Sequence, residues 1–151
     1  MWSKLPDDFI LHIFGEGSYS NYVESKAKEA INIVYYGFRQ HEDLLKDLEN
    51  SVAVIIASEC YETFGMLIPE SFSRSVPVIT TDIGNPAQMV KESNGGVIYK
   101  LKDFDSFRGA INTLLSNRSN YSNNAYKYYR DNLSEEVNYK RLIEIYEKAR
   151  K

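Results

Sequence analysis

The fold is indicated most directly by residues 51–70, which read SVAVIIASECYETFGMLIPE. The first seven of these residues are apolar enough to form a strand that is buried on both faces, as in a parallel sheet. A polar loop follows, and residues 66–74 have the pattern of a helix. A buried strand that passes through a polar loop into a helix is typical of a parallel α/β sheet.

The same alternation of short apolar runs and amphipathic stretches extends along the whole chain. Helical structure after residue 115 breaks near Asn132-Leu133 and begins again at Ser134. We therefore predict an α/β fold with a parallel sheet, helices on both of its faces and C-terminal helices. Strands are predicted at 10–14, 33–36, 51–57, 76–81 and 97–101. Helices are predicted at 19–30, 41–50, 66–74, 86–92 and 103–115.

Composition and charge narrow the class of protein. The chain has 151 residues, a formal net charge of −3 and no long run of Lys or Arg, so we expect no nucleic-acid partner. Its one cysteine, Cys60, cannot form a disulfide within the chain, which favours a reducing compartment. No stretch reaches the roughly 18 apolar residues that span a bilayer. We expect a single cytoplasmic domain over residues 1–151.

The residues that follow each predicted strand are the candidates for binding, because ligands of such sheets lie beyond the carboxyl ends of the strands. The loop after the third strand contains Glu62 and Gly65, and Glu70 lies in the helix after it. Gly65 permits a close backbone approach, and a helix start offers unpaired N–H groups to a phosphate. Carboxylates repel phosphate but accept hydrogen bonds from hydroxyl groups. This combination suits a sugar nucleotide. The four candidate segments are 15–17, 37–39, 58–65 and 82–85.

At these residues the sequence resembles the group 1, or family 4, glycosyltransferases of the GT-B fold. The C-terminal domain of that family has two Glu residues separated by seven intervening residues, with a Phe-Gly pair between them. Glu62, Phe64, Gly65 and Glu70 match this pattern. The likeness runs in order from about residue 9 to 115 and implies a Rossmann-like sheet, the C-terminal half of a GT-B enzyme. The other matching stretches are 15–17 (GEG), 36–38 (YGF), 76–82 (VPVITTD) and 92–98 (ESNGGVI).

The resemblance implies a role for each matching position. Glu62 is expected to be the catalytic residue and to hold hydroxyls of the transferred sugar, and Glu70 is expected to bind the ribose. No metal is expected in this fold. Binding of the donor sugar and the diphosphate is expected from Glu62, Thr63, Phe64, Gly65 and Met66. The nucleotide pocket is expected to include Gly15, Gly17, Phe38 and Arg39.

The implied function is transfer of a hexose, with retention of anomeric configuration, from a UDP-, GDP- or ADP-sugar to a glycan or lipid-linked acceptor. The resemblance points to synthesis of surface polysaccharide or lipopolysaccharide, without a cofactor, and allows peripheral attachment of the full enzyme to the inner face of the membrane. A sugar-nucleotide epimerase of the same fold and a non-catalytic nucleotide-binding module are the alternatives. The chain alone is expected to be inactive, because the acceptor domain of the family is missing.

The sequence also departs from the family pattern. The first strand of the donor domain, with its "G-R-x-x-x-x-K-G" motif and diphosphate-neutralising Arg and Lys, is missing. The sequence is therefore expected to be a fragment, unless the flanking strands pair directly or another segment fills the gap. Gln88 replaces a common Glu. Ser75 replaces the glycine after the helix and is expected to need a positive φ.

Several residues invite a functional interpretation that a structural one explains better. Asp103-Phe104-Asp105 resembles a metal motif of a different glycosyltransferase fold, but N-capping of the next helix accounts for it. Structural roles are also favoured for His12, His41, Cys60 and the tyrosines at 126, 128 and 129. For Gly15-x-Gly17 and for Asp82-Ile83-Gly84, a turn and a ligand contact remain equally open.

Overall fold

Parallel strands alternate with helices along the chain, as the sequence predicts. The computed structural model describes residues 2–150. Every predicted strand and helix is present, with ends that differ by at most three residues, which is common for sequence-based boundaries. The strands are β1 (Leu11–Ile13), β2 (Ile33–Tyr35), β3 (Val54–Ile56), β4 (Val78–Thr81) and β5 (Gly96–Tyr99). The helices are α1 (Ser20–Glu29), α2 (His41–Glu49), α3 (Leu67–Ser73), α4 (Gly84–Ser93), α5 (Phe104–Ser116), α6 (Arg118–Tyr128) and α7 (Glu135–Ala149).

The chain divides after Asp47 into two compact units. In the first unit, β1 and β2 form a two-stranded parallel sheet, with Leu11 opposite Ile33. Helix α1 packs against β2. Upstream of β1, the indole N–H of Trp2 donates a hydrogen bond of 2.9 Å to the carbonyl oxygen of Phe9. The prediction that residues 1–151 form one nucleotide-sugar-binding domain stays a prediction.

The second unit is built on a three-stranded parallel sheet in the order β3-β4-β5. All four residues of the central strand β4 are buried. Since successive side chains of a strand point to opposite faces, both faces of β4 are covered. Helix α5 packs against β5 and β4. The buried core cluster around the sheet comprises Ile56, Ile68, Phe72, Val78, Met89, Val90 and Ala125.

The five predicted strands thus form two sheets, one of two strands and one of three. The sequence left open whether β1 and β3 pair directly in place of the missing family strand. Among residues 2–150, β1 pairs with β2 and β3 pairs with β4, so each of these strands has its partner within its own unit.

The C-terminal helices follow the predicted pattern closely. Asp103 caps α5, since its carboxylate accepts a hydrogen bond of 2.9 Å from the amide of Ser106. The predicted break near Asn132 is a widened helical turn over Tyr129–Leu133, after which Ser134 caps α7. Tyr128 and Tyr129 pack against the core, as expected. The third residue of that cluster, Tyr126, is 46% exposed, and its structural role stays a prediction.

Helix α3 ends in a Schellman motif that places Ser75 in the left-handed region. The amide of Val76 donates to the carbonyl oxygen of Ser71 (3.0 Å), and the amide of Ser75 donates to that of Phe72 (3.0 Å). Ser75 has a φ of 60°, which confirms the sequence-based expectation. A residue with a Cβ is strained in this conformation, so the motif forms at a cost that glycine would avoid.

We predict that Ser75→Gly stabilises the protein, because glycine relieves a left-handed strain of about 1–2 kcal/mol while adding some backbone entropy to the unfolded chain. Equilibrium urea unfolding should show a gain of up to about 1 kcal/mol in the free energy of unfolding. Ser116→Gly is the matched control: Ser116 ends α5 without a positive φ, and the change should destabilise by about 0.5–1 kcal/mol. Equal effects of the two changes would contradict this account of Ser75.

Candidate functional site

The loop that joins β3 to α3 contacts the start of α4, the helix that follows β4. Since β3 and β4 are parallel neighbours, the connections after both strands leave the same edge of the sheet. A Cβ built on Gly84 would lie 3.3 Å from the backbone nitrogen of Glu62. A Cβ built on Gly65 would lie 3.1 Å from Cγ of Pro86. The two segments therefore approach closely at both glycines, and a Cβ at either position would require its neighbour to shift by a few tenths of an ångström. Both glycines also have a positive φ.

Glu62 lies inside this contact and is half-buried. The hydroxyl of Ser58 donates a hydrogen bond to its Oε1 atom. Its Oε2 atom lies 3.5 Å from the position that a Cβ of Gly65 would occupy. One carboxylate oxygen thus has a partner within the loop, and the other lies next to the glycine that precedes α3.

The backbone at Gly65 and Met66 forms a concave group of amides before α3. Gly65 has a φ of 75°, and Met66 follows in the right-handed region with φ −52° and ψ −27°. A left-handed residue followed by a right-handed one turns successive N–H groups toward a common point, an arrangement that binds anions. Among residues 2–150, the amides of Gly65, Met66 and Leu67 have no acceptor. We call these three N–H groups the amide nest.

Glu70 is the fourth residue of α3 and lies in its first turn. Its side chain is half-buried and has no hydrogen-bond partner within residues 2–150. A carboxylate in the first turn is favoured by the positive end of a helix dipole, which is an alternative reason for its presence. Its oxygens nevertheless remain available to a ligand.

Thr63 and Phe64 are exposed, and their carbonyl oxygens anchor the loop. The side-chain amide of Asn85 donates to the carbonyl oxygen of Thr63 (3.1 Å) and, more weakly, to that of Phe64 (3.5 Å). Asn85 is the second residue of α4, so its hydrogen bonds tie the loop after β3 to the start of that helix. The sequence marked residues 82–85 as informative but gave no role to Asn85. A local sequence pattern does not predict a hydrogen bond between residues that are more than 20 positions apart.

The four residues predicted for the nucleotide pocket belong to the first unit. The amide of Gly15 donates to the carbonyl oxygen of Gly37 (2.8 Å), so the ends of β1 and β2 are joined. The amide of Gly17 donates to the Ser20 hydroxyl (2.8 Å). Phe38 is exposed, and the guanidinium of Arg39 lies 5.1 Å from the centre of the Tyr36 ring. The structure brings Gly15 close to Gly37; the grouping of these residues with Glu62 stays a prediction.

The remaining polar candidates have structural partners. Asp105 pairs with Arg108 (2.9 Å) beside the Asp103 cap. The carboxylate of Asp82 accepts a hydrogen bond from the amide of Leu101 (3.0 Å), which favours a turn there. No three His, Cys, Asp or Glu side chains within residues 2–150 are grouped as metal ligands would be.

Cys60 and Glu59 also lie in the loop after β3. Cys60 is a free, exposed thiol. Its neighbour Glu59 forms an ion pair of 2.9 Å with Lys102. Burial raises the pKa of the Tyr99 hydroxyl, and the nearby Glu59 carboxylate adds to this effect.

His12 is exposed on β1, with its ring 5.3 Å from that of Tyr36, which fits the structural role predicted for it.

The architecture is that of the C-terminal half of the GT-B glycosyltransferases. HepE from Anabaena, solved in complex with UDP, superposes with a TM-score of 0.83 at 16% identity, covering 97% of this chain and 43% of HepE. HepE in complex with UDP-glucose gives a TM-score of 0.82 with the same coverage. At this level of identity the match establishes the fold.

The sequence model of the family described as "Glycosyl transferases group 1" matches residues 1–132, so the chain belongs to that family. An uncharacterized glycosyltransferase of Methanocaldococcus jannaschii, MJ1607, is 28% identical over 138 residues, or 84% of this chain and 35% of the relative. The lipopolysaccharide 1,6-galactosyltransferase of Salmonella typhimurium is 24% identical over 124 residues, or 79% of this chain and 34% of the relative. The chain thus spans about a third of the length of these relatives. Within residues 2–150, no helix has the length and apolar character needed to cross a membrane.

We predict that Asn85→Ala loosens the loop after β3, because Thr63 and Phe64 lose their tie to α4. Loss of about 1 kcal/mol of hydrogen bonding should raise the population of the open loop roughly fivefold. Chymotrypsin cleavage after the exposed residues Tyr61 and Phe64 should accelerate by a similar factor.

Gln88→Ala is the matched control for this experiment. It removes another side-chain amide from α4, and within residues 2–150 that amide bonds to Glu92 on the same helix alone (2.7 Å). Gln88→Ala should therefore be cleaved at the parental rate. Cleavage of Asn85→Ala at the parental rate would show that the Asn85 bonds do not hold the loop.

Proposed function

We propose that the chain binds a nucleotide-diphosphate sugar and is the donor-binding part of a retaining glycosyltransferase. The observation that carries this proposal is the placement of the amide nest between two carboxylates in one short segment. Glu62 precedes the nest in the loop, and Glu70 follows it in the first turn of α3. Membership of the group 1 family supports the same conclusion.

The amide nest is proposed to bind the diphosphate. Three N–H groups without an acceptor supply partial positive charge and directed donors, and backbone amides need no side-chain movement to reach a phosphate oxygen. Gly65 has no Cβ, so the ligand can approach the backbone closely at this point. The side chains of Thr63, Phe64 and Met66 lie at or next to the nest and are exposed, and we propose that they line the donor site with it.

The two carboxylates are proposed to bind hydroxyl groups at opposite ends of the donor. Glu62 is the catalytic residue in this proposal: it contacts hydroxyls of the transferred sugar, which lies next to the diphosphate. Glu70 binds the ribose hydroxyls on the other side. A carboxylate that accepts two hydroxyl hydrogen bonds is well suited to a pair of neighbouring hydroxyls. Gly15, Gly17, Phe38 and Arg39 are proposed to bind the nucleotide.

The reaction proposed is transfer of a hexose with retention, in which the diphosphate leaves from the face that the acceptor attacks. The residues on this chain contribute by positioning the donor and by stabilising the negative charge that develops on the leaving diphosphate. The amide nest faces that charge most directly. The proposed contact between Glu62 and the sugar hydroxyls orients the anomeric carbon.

The relatives guide the finer part of the proposal. HepE has been solved with UDP and with UDP-glucose, and the Salmonella typhimurium relative is, by its name, a lipopolysaccharide 1,6-galactosyltransferase. We therefore propose a UDP-hexose as donor and a glycan or lipid-linked acceptor in surface polysaccharide or lipopolysaccharide synthesis. The acceptor is bound by a separate domain in this proposal, and the full enzyme acts in the cytoplasm, at the inner face of the membrane.

Calorimetric titration with UDP-, GDP- and ADP-sugars, and with the corresponding free nucleotides, tests the proposal. We predict that Glu70→Gln weakens binding of the free nucleotide about tenfold or more, because it loses a charge-assisted bond to ribose worth about 1.5–3 kcal/mol. Glu62→Gln should leave the free nucleotide affinity within about twofold and weaken only the nucleotide sugar. Glu92→Gln is the control, because Glu92 lies on α4 and bonds to Gln88 and Tyr128; it should bind both ligands as the parent does.

Two results would contradict these roles. If Glu62→Gln weakened nucleotide and nucleotide sugar equally, Glu62 would not be the residue that faces the sugar. If no nucleotide or nucleotide sugar bound the parent chain, the donor-binding proposal itself would fail.

A further inference from the structure

Glu62 has a neighbour that the proposed function does not use. Ser58 lies two residues after the end of β3, and its hydroxyl donates a hydrogen bond to Oε1 of Glu62. The contact spans four positions of the loop, and both residues are half-buried. Within residues 2–150, this is the one hydrogen bond to the Glu62 carboxylate.

Ser58 is itself fixed to the sheet. Its carbonyl oxygen accepts a hydrogen bond of 3.0 Å from the hydroxyl of Thr81. Thr81 is the last residue of β4 and is 1% exposed. Because Thr81 is held by the central strand, the bond gives Ser58 a defined position, and Ser58 transmits that position to Glu62.

The two oxygens of Glu62 therefore have different environments. Oε1 accepts the Ser58 hydrogen bond, and Oε2 lies beside Gly65 at the edge of the amide nest. A free glutamate side chain has several accessible rotamers, and ordering it on ligand binding costs conformational entropy. A carboxylate that is already held by one oxygen avoids much of this cost.

We propose that Ser58 is a positioning residue: it holds Oε1 of Glu62 so that Oε2 is presented to the hydroxyls of the donor sugar. Thr81 supports it from β4. The inference rests on the proposed function, because it assigns the sugar to Glu62. Ser58 acts only through Glu62 and does not touch the nucleotide. Its removal must therefore affect the part of the affinity that the sugar contributes and no other part.

The test measures the sugar contribution as the ratio of two dissociation constants, that of the free nucleoside diphosphate over that of the nucleotide sugar. Calorimetry uses UDP with UDP-glucose, GDP with GDP-mannose or ADP with ADP-glucose, whichever pair the parent chain binds. Ser58→Ala should lower the ratio about five- to tenfold, the upper part of the range expected for one typical hydrogen bond, and leave the nucleotide affinity within twofold. Ser58→Thr retains the hydroxyl and should restore most of the ratio.

A double variant separates positioning from direct contact. If Ser58 acts through Glu62, then Ser58→Ala in a Glu62→Gln background should change the ratio by less than about twofold. Thr81→Val, which removes the supporting hydroxyl, is the second single variant and should lower the ratio about threefold, with recovery in Thr81→Ser. Melting curves establish that each variant is folded before its ratio is compared.

The outcomes separate this inference from the proposed function. A parental ratio in folded Ser58→Ala and Thr81→Val would overturn the role of Ser58 and leave donor binding intact. Equal weakening of nucleotide and nucleotide sugar would also overturn it, since it would indicate a general effect on the loop. If the parent bound no nucleotide, or gained nothing from the sugar, the proposed function would fail and this inference with it.

Discussion

The close approach of Glu62 to Gly84 is the constraint on which the candidate site depends. A side chain at position 84 would meet the backbone of Glu62 at 3.3 Å, and its φ of 70° is one that side-chain-bearing residues avoid. The pairing of β3 with β4 brings the two connections to the same edge, and the two glycines let them touch. The hydrogen bonds of Asn85 then fix the contact, and the amide nest lies immediately after it.

This arrangement divides the segment into regions of different chemistry. The backbone amides of the nest favour an anion. The carboxylates on either side of the nest repel phosphate from their own positions and favour hydroxyl groups there. A ligand that satisfies all three has its charge in the middle and hydroxyls at both ends. The exposure of the loop fits an open site that binds a ligand from solvent, with water excluded only when another surface covers it.

The sequence predicted the elements of the fold well because they depend on local patterns. The alternation of strands and helices, the Asp103 cap and the positive φ of Ser75 each follow from residues within a few positions. The run before Ser58 does form β3, but its predicted burial on both faces is wrong: Ile56 is its one buried residue, because β3 is an edge strand of the three-stranded sheet. The division of the strands into two sheets was not predicted, because pairing depends on contacts far apart in the chain. Asn85 and Ser58 were missed as side chains with a role for similar reasons: a polar residue after a strand has the same local signature whether it braces a loop or faces solvent.

The central claim, that the amide nest binds the diphosphate, is tested most directly by Gly65→Ala. The change should destabilise the protein by about 1–2 kcal/mol, because alanine is strained at a φ of 75°. Its methyl group would stand beside the nest, so the folded variant should bind nucleotide sugar at least about tenfold more weakly. Gly109→Ala is the control: nothing lies within 4 Å of its added Cβ, so it should keep the parental affinity. Parental affinity in folded Gly65→Ala would contradict the account.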